Sequence, residues 1–118
     1  MNPLEGQSPE LEPLSESTYF ILLSLVPQPR HGYGIMKEVV MLSDGRTHLS
    51  TGTLYGALSR LLDRGWIERI DANHDQEAQR LQKVYRLTSR GNAVLNSEID
   101  RLKRLVAAAQ LQIGKESI

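Results

Sequence analysis

LSTGTLYGALSRLLDRGWIER, residues 49–69, changes its hydrophobic period partway through. From Leu54 the leucines recur at Leu58, Leu61 and Leu62. At 100 degrees per residue they fall within about 60 degrees of one direction, which predicts an amphipathic helix with a single buried stripe. Ser50 or Thr51 supplies the N-terminal cap and Gly65 the stop. Directly beyond, WIERI at 66–70 is β-branched and aromatic with a period of two, which predicts a strand. A capped helix therefore leads through one glycine into a strand.

Opposite the leucines the same helix carries Gly52, Thr53, Gly56, Ser59, Arg60 and Asp63, with Tyr55 at the edge of the apolar arc. Small residues near a helix N-terminus let the backbone approach a groove or a phosphate closely, and the free amides and positive dipole end favour an anion. Gly56 costs about 1 kcal/mol relative to alanine inside a helix. It therefore calls for compensation, either close approach of DNA or close packing of another helix. Thr51, Gly52, Thr53, Tyr55, Gly56, Ser59 and Arg60 are the candidate DNA-recognition face. Thr53, Ser59 and Arg60 have the chemistry for base edges or phosphates, arginine being suited to bidentate contact with guanine. Tyr55 can direct its hydroxyl to a phosphate while its ring packs.

Upstream, HGYGIMKEVVMLSDG at 31–45 predicts a second helix with the stripe Ile35, Val39 and Leu42 and a C-terminal cap at Gly45. An earlier helix, capped by Ser15 or Ser17, is expected to run to about Val26, with Tyr19, Leu22, Leu23 and Val26 on one face and Pro27 and Pro29 ending it. Residues 1–13 hold three of the five prolines and almost no periodicity, which predicts a flexible arm.

Downstream, KVYRLT at 83–88 predicts a second strand, joined to the first by the polar stretch DANHDQEAQRLQ as a hairpin with a long tip. Tyr85 and Leu87 share the expected core face, and Val84, Arg86 and Thr88 the other. Residues 80–90 hold Arg80, Lys83, Arg86 and Arg90 with no acid, so Arg80, Lys83 and Arg86 are candidate phosphate contacts on a wing. A last helix starts at Thr88 or Ser89 and ends near Gly114. In it Leu95, Ile99, Leu102, Val106, Ala109 and Ile113 alternate by fours and threes as a heptad seam, with Leu105 and Leu111 read beside it, which predicts homodimerisation.

The bulk properties narrow the function classes. With 118 residues and 40% apolar content the chain is the size of one domain with a small core. The absence of cysteine excludes disulfides and thiolate metal sites. No apolar run approaches the ~18 residues of a membrane span, and the acidic, proline-bearing start is unlike a signal peptide, so a cytoplasmic protein is expected. His31, His48 and His74 are not at ligand spacing and no Gly-rich phosphate loop follows a strand, so neither an enzyme nor a cofactor is expected. Lys plus Arg equals Asp plus Glu at 14 each, which keeps a winged-helix protein-interaction module as the alternative to DNA binding.

The order helix, helix, helix, strand, long loop, strand, helix is that of a mainly α protein with a small β-hairpin, a winged helix-turn-helix with a long C-terminal dimerisation helix. It divides into an arm at 1–13, a winged-helix domain at 14–90 and a dimerisation helix at 91–118. In order and spacing, HGYGI at 31–35, STGTLYGALSRLLDRGWIE at 50–68 and VYRLTSRG at 84–91 resemble the PadR-like transcriptional regulators, and the length resembles their smaller subfamily with a single C-terminal helix. The resemblance implies a homodimeric repressor that binds partly palindromic double-stranded operator DNA and answers to a small phenolic or hydrophobic effector. The sequence departs from the family in having Gly56 where proline is common, and a wing tip, DANHDQEAQ, that is less basic.

Overall fold

The computed structural model describes residues 12–70 and 83–116; residues 1–11 of the arm, the hairpin tip and the last two residues lie outside it. The element order is α1 (Glu16–Ser24), β1 (Arg30–His31), α2 (Gly32–Leu42), α3 (Thr51–Asp63), β2 (Ile67–Ile70), β3 (Val84–Leu87) and α4 (Ser89–Glu116). The four helices and the two longer strands fall where the periodicity places them, to within about two residues at their ends.

Local chemistry fixes the boundaries. Ser15 caps α1, its Oγ accepting from the Thr18 amide at 3.1 Å. The helix ends at Ser24, short of the expected Val26: before Pro27 the turn tightens, the Leu25 and Val26 amides donating to the Leu22 and Leu23 carbonyls, and Arg30 Nε donates to the Ser24 carbonyl at 2.7 Å. Val26 is consequently exposed rather than part of the buried face. Ser50 caps α3 by accepting from the Thr53 amide at 3.2 Å. At the other end Gly65 has φ +73, while its amide and that of Trp66 donate to the Leu62 and Leu61 carbonyls. That paired arrangement is a Schellman stop, and it turns the chain directly into β2.

The sheet has three strands in the order β1-β3-β2, not two as the hairpin pattern suggested. β1 is only Arg30 and His31, paired antiparallel with Tyr85 and Val84, so residue 31 ends a strand before α2 begins. β2 and β3 pair with Ile67 opposite Leu87 and Ile70 opposite Val84. The core gathers Ile21, Leu22, Ile35, Val39, Leu54, Leu58, Trp66 and Tyr85 between the helices and the sheet. The leucine stripe of α3 is its centre, with Ala57 buried beside it and Leu62 only partly covered.

α4 is seated on the sheet by its first turn. Thr88 donates from Oγ1 to the Gly65 carbonyl at 2.6 Å, accepts from the Gly91 amide at 3.0 Å, and donates its own amide to the Trp66 carbonyl at 3.1 Å. One residue thus caps α4 and locks it to the turn between α3 and β2. Val94 and Leu95 then enter the core, and Ile99 packs against it.

Leu95 was expected in the dimer seam, but it is 2% exposed and already covered within its own chain. Leu102 is half-buried, and beyond it α4 leaves the body: Leu105, Val106, Leu111 and Ile113 are all more than half exposed. Leu111 is not beside the seam, since sixteen residues after Leu95 an α-helix has turned it about 160 degrees away. Of the expected seam, Ile99 packs against the edge of the core, Leu102 is half-buried, and Val106, Ala109 and Ile113 are exposed.

A buried carboxylate ties the start of the fold to α4. Glu98 accepts from the Leu14 amide at 3.2 Å and from Arg101 Nε and NH2 at 2.7 and 2.8 Å. Arg101 holds the Glu98 carboxyl below the usual carboxylate range against the opposing effect of burial. A depressed pKa gives stability that is present above the unfolded value, ~4.3, and lost as pH falls through the folded one. The stability advantage of wild type over Glu98→Gln is expected to be largest above about pH 5 and to shrink on acidification. Urea unfolding across a pH series checks this; a difference independent of pH would remove Glu98 from the account.

Candidate nucleic-acid interface

The outward face of α3 is open along its length. Thr51, Gly52, Thr53, Ser59 and Arg60 are exposed, Tyr55 is 45% exposed and Gly56 is half-buried. A methyl group on Gly52 would meet nothing within 4 Å, and one on Gly56 only the Arg60 guanidinium at 3.7 Å, an ordinary contact. Neither glycine is there to admit another part of the described chain. The helix-packing explanation for Gly56 thus has no partner among the described residues.

Gly56→Ala is expected to raise folding stability by about 0.5–1 kcal/mol, the ordinary gain of alanine over glycine in a helix. Thermal unfolding checks this, and a loss of stability would mean that the position is sterically required by the fold.

Tyr55 reaches sideways from α3 to the start of α2. Its hydroxyl occupies the space a side chain at Gly32 would need, 2.6 Å from that methyl position. The N-cap of α2, His31, makes no side-chain cap hydrogen bond. Tyr85 of β3 lies near enough that burial, then Tyr55, push its phenol pKa up while Arg69 pulls it down. α3, the start of α2 and the base of the wing therefore converge around two tyrosines.

The wing differs from its sequence pattern. Arg86 donates from Nε to Glu68 Oε1 at 2.6 Å across the strand pair, so its charge is already engaged. Lys83 is exposed at the foot of β3, and Arg80 lies outside the described residues. Two cations were missed by the sequence reading. Arg69 on β2 is exposed, and Arg64 at the end of α3 lies over the Trp66 ring at 4.9 Å. Arg64 sits one turn beyond Arg60, a spacing that would have revealed it.

Three helices, the third capped and outward-facing, followed by a strand pair as a wing, define the winged helix-turn-helix class. Solved structures agree. A winged-helix DNA-binding protein from STIV is similar over 80% of this chain and 96% of its own, with 22% identity and a TM-score of 0.64. The chain belongs to the PadR-like family of transcriptional regulators, whose sequence pattern matches residues 21–97. A PadR-like transcription factor from Bacteroides fragilis is 25% identical over 79% of this chain and 85% of its own, at TM-score 0.63. A PadR family transcription regulator from hypervirulent Clostridium difficile is 24% identical over 84% and 98%, at TM-score 0.61. No curated protein matches the sequence. The family is one of transcription regulators, not enzymes. Among the described residues no helix is long and apolar enough to cross a membrane.

Proposed function

We propose that the protein is a homodimeric repressor that reads a partly palindromic operator with the outward face of α3. The observation that carries the reading is the bare surface over Gly52 and Gly56, which the fold of the described chain does not require. Thr53, Ser59 and Arg60 are the side chains for base edges and phosphates, with Thr51 and Tyr55 flanking them. Lys83 serves the backbone from the wing, while Arg86 contributes less because Glu68 holds it. Two copies joined along the exposed part of α4 bring two recognition helices to half-sites about 34 Å apart.

Arg60→Ala is expected to weaken specific binding by about 1–3 kcal/mol and to relax sequence preference. Titration of an operator duplex against its base-substituted variants tests this. Unchanged affinity would place Arg60 on a merely solvated face.

Relief by a small hydrophobic or phenolic compound belongs to the same reading. An open surface groove of ≈ 400 Å³ lies between α1 and α4, lined by Tyr19, Ile99, Leu102, Lys103, Val106 and Gln110. Ile99, Leu102 and Val106 belong to the proposed dimer seam as well, so an occupant would lie between the two copies and act on the spacing of their α3 helices. The engagement of Arg86 by Glu68 favours the rival reading, a protein-interaction module. Specific retention of DNA decides between them.

A further inference from the structure

We propose that the acidic N-terminal segment of the chain docks in a groove over Arg60 and Arg64 and competes there with DNA. The competition rests on the DNA reading of α3; the docking does not.

The groove, ≈ 270 Å³, lies between the start of α1 and the second half of α3, and its walls include Thr18, Arg60, Arg64 and Trp66. Neither arginine has an ion-pair partner among the described residues, whereas Arg30, Arg86 and Arg101 are each paired with a glutamate. The first described residues, Glu12 and Pro13, line the same groove, so the preceding chain enters from its rim.

That preceding chain suits the site in charge and length. Residues 1–12 contain Glu5, Glu10 and Glu12 and no lysine or arginine. The eleven residues outside the described chain span up to about 36 Å when extended. The 13-residue α3 is about 20 Å long, so the carboxylates reach both cations. Pro3 and Pro9 bias their neighbours toward extended backbone, which limits the entropy lost on docking. The positive end of α1 adds to the attraction for carboxylates. Exposed pairs of this kind are weak and screened by salt, which makes the contact displaceable by a phosphate backbone.

The chain has no cysteine, so Ser8→Cys offers a single site for a spin label in the full-length protein. At low salt the label is expected to broaden the amide resonances of residues 60–64. The effect should disappear in a Glu5→Gln, Glu10→Gln, Glu12→Gln variant of equal length. That unlabelled variant is expected to bind duplex from the protein's own upstream region about three- to tenfold more tightly than wild type at low salt, the two converging as salt rises. Absence of broadening at 60–64, or broadening that persists unchanged in the triple-glutamine variant, would overturn the docking whatever the DNA result. Broadening with equal DNA affinities would overturn the competition. If neither chain retains any duplex, the DNA reading fails and the competition with it, while broadening still reports the docking.

Discussion

Gly91→Ala is expected to remove about 4 kcal/mol or more of folding stability, since Gly91 is the most tightly enclosed of the described glycines. Gly91 is the third residue of α4, where the helix crosses the end of β2. A methyl group there would stand 1.9 Å from the Trp66 carbonyl oxygen and 2.8 Å from its carbon. Both are backbone atoms, and that carbonyl also accepts from the Thr88 amide, so it has no free direction in which to move. The Leu87 side chain closes the remaining side at 2.9 Å. Relief requires lifting α4 off the sheet, which would break the Thr88 cap and withdraw Val94 and Leu95 from the core. Urea unfolding followed by circular dichroism should show a much lower midpoint, or no folded baseline. A variant within about 1 kcal/mol of wild type would contradict the close crossing of α4 over β2.

Leu102→Asp is expected to yield monomers that bind operator about a hundredfold or more weakly, because the second half-site is no longer held at high effective concentration. Leu102 stands where α4 leaves the body, and Val106 and Ile113 continue its face at 55% and 63% exposure. An apolar face of this length on a projecting helix suits a partner surface. Since Leu102 is half-buried, Ile113→Asp, well clear of the body, separates dimer loss from local unfolding. Sedimentation is expected to find both variants shifted to the monomer mass with helical content retained. Dimers of wild-type affinity would refute the seam.

Much of this architecture was legible in the residues because it is local. The leucine stripe of α3, its Ser50 cap and its Gly65 stop need only neighbouring residues, and each lies where the pattern puts it. What escaped was set by distant pairing. β1 is two residues between Pro29 and Gly32, too short for any period, and exists because β3 lies beside it. The neutralisation of Arg86 depends on a register that sets Glu68 opposite it, so a basic run in sequence became a paired charge in space. Gly91 gives no signal in the helical pattern, because its requirement comes from the Trp66 carbonyl in the turn between α3 and β2.

The outward face of α3 was half legible. A wheel separates the glycines from the leucines, but only the packed chain reveals that nothing in the described part of the molecule lies over Gly52 and Gly56. The same limit applies to α4. Its heptads run without a break from Leu95 to Ile113, and the sequence carries no mark of where the body stops covering them. Burial divides the seam: Leu95 belongs to the core, Ile99 packs against its edge, and Val106, Ala109 and Ile113 are exposed.

The central claim, that α3 and the wing read duplex DNA, is tested most directly by retention of a duplex from the protein's own upstream region against random duplex across a salt series. The prediction is specific retention that persists after random duplex is released, with affinity falling steeply and linearly in the logarithm of salt concentration. Equal or no retention of both duplexes at low salt, by protein whose circular dichroism confirms the folded state, would contradict it.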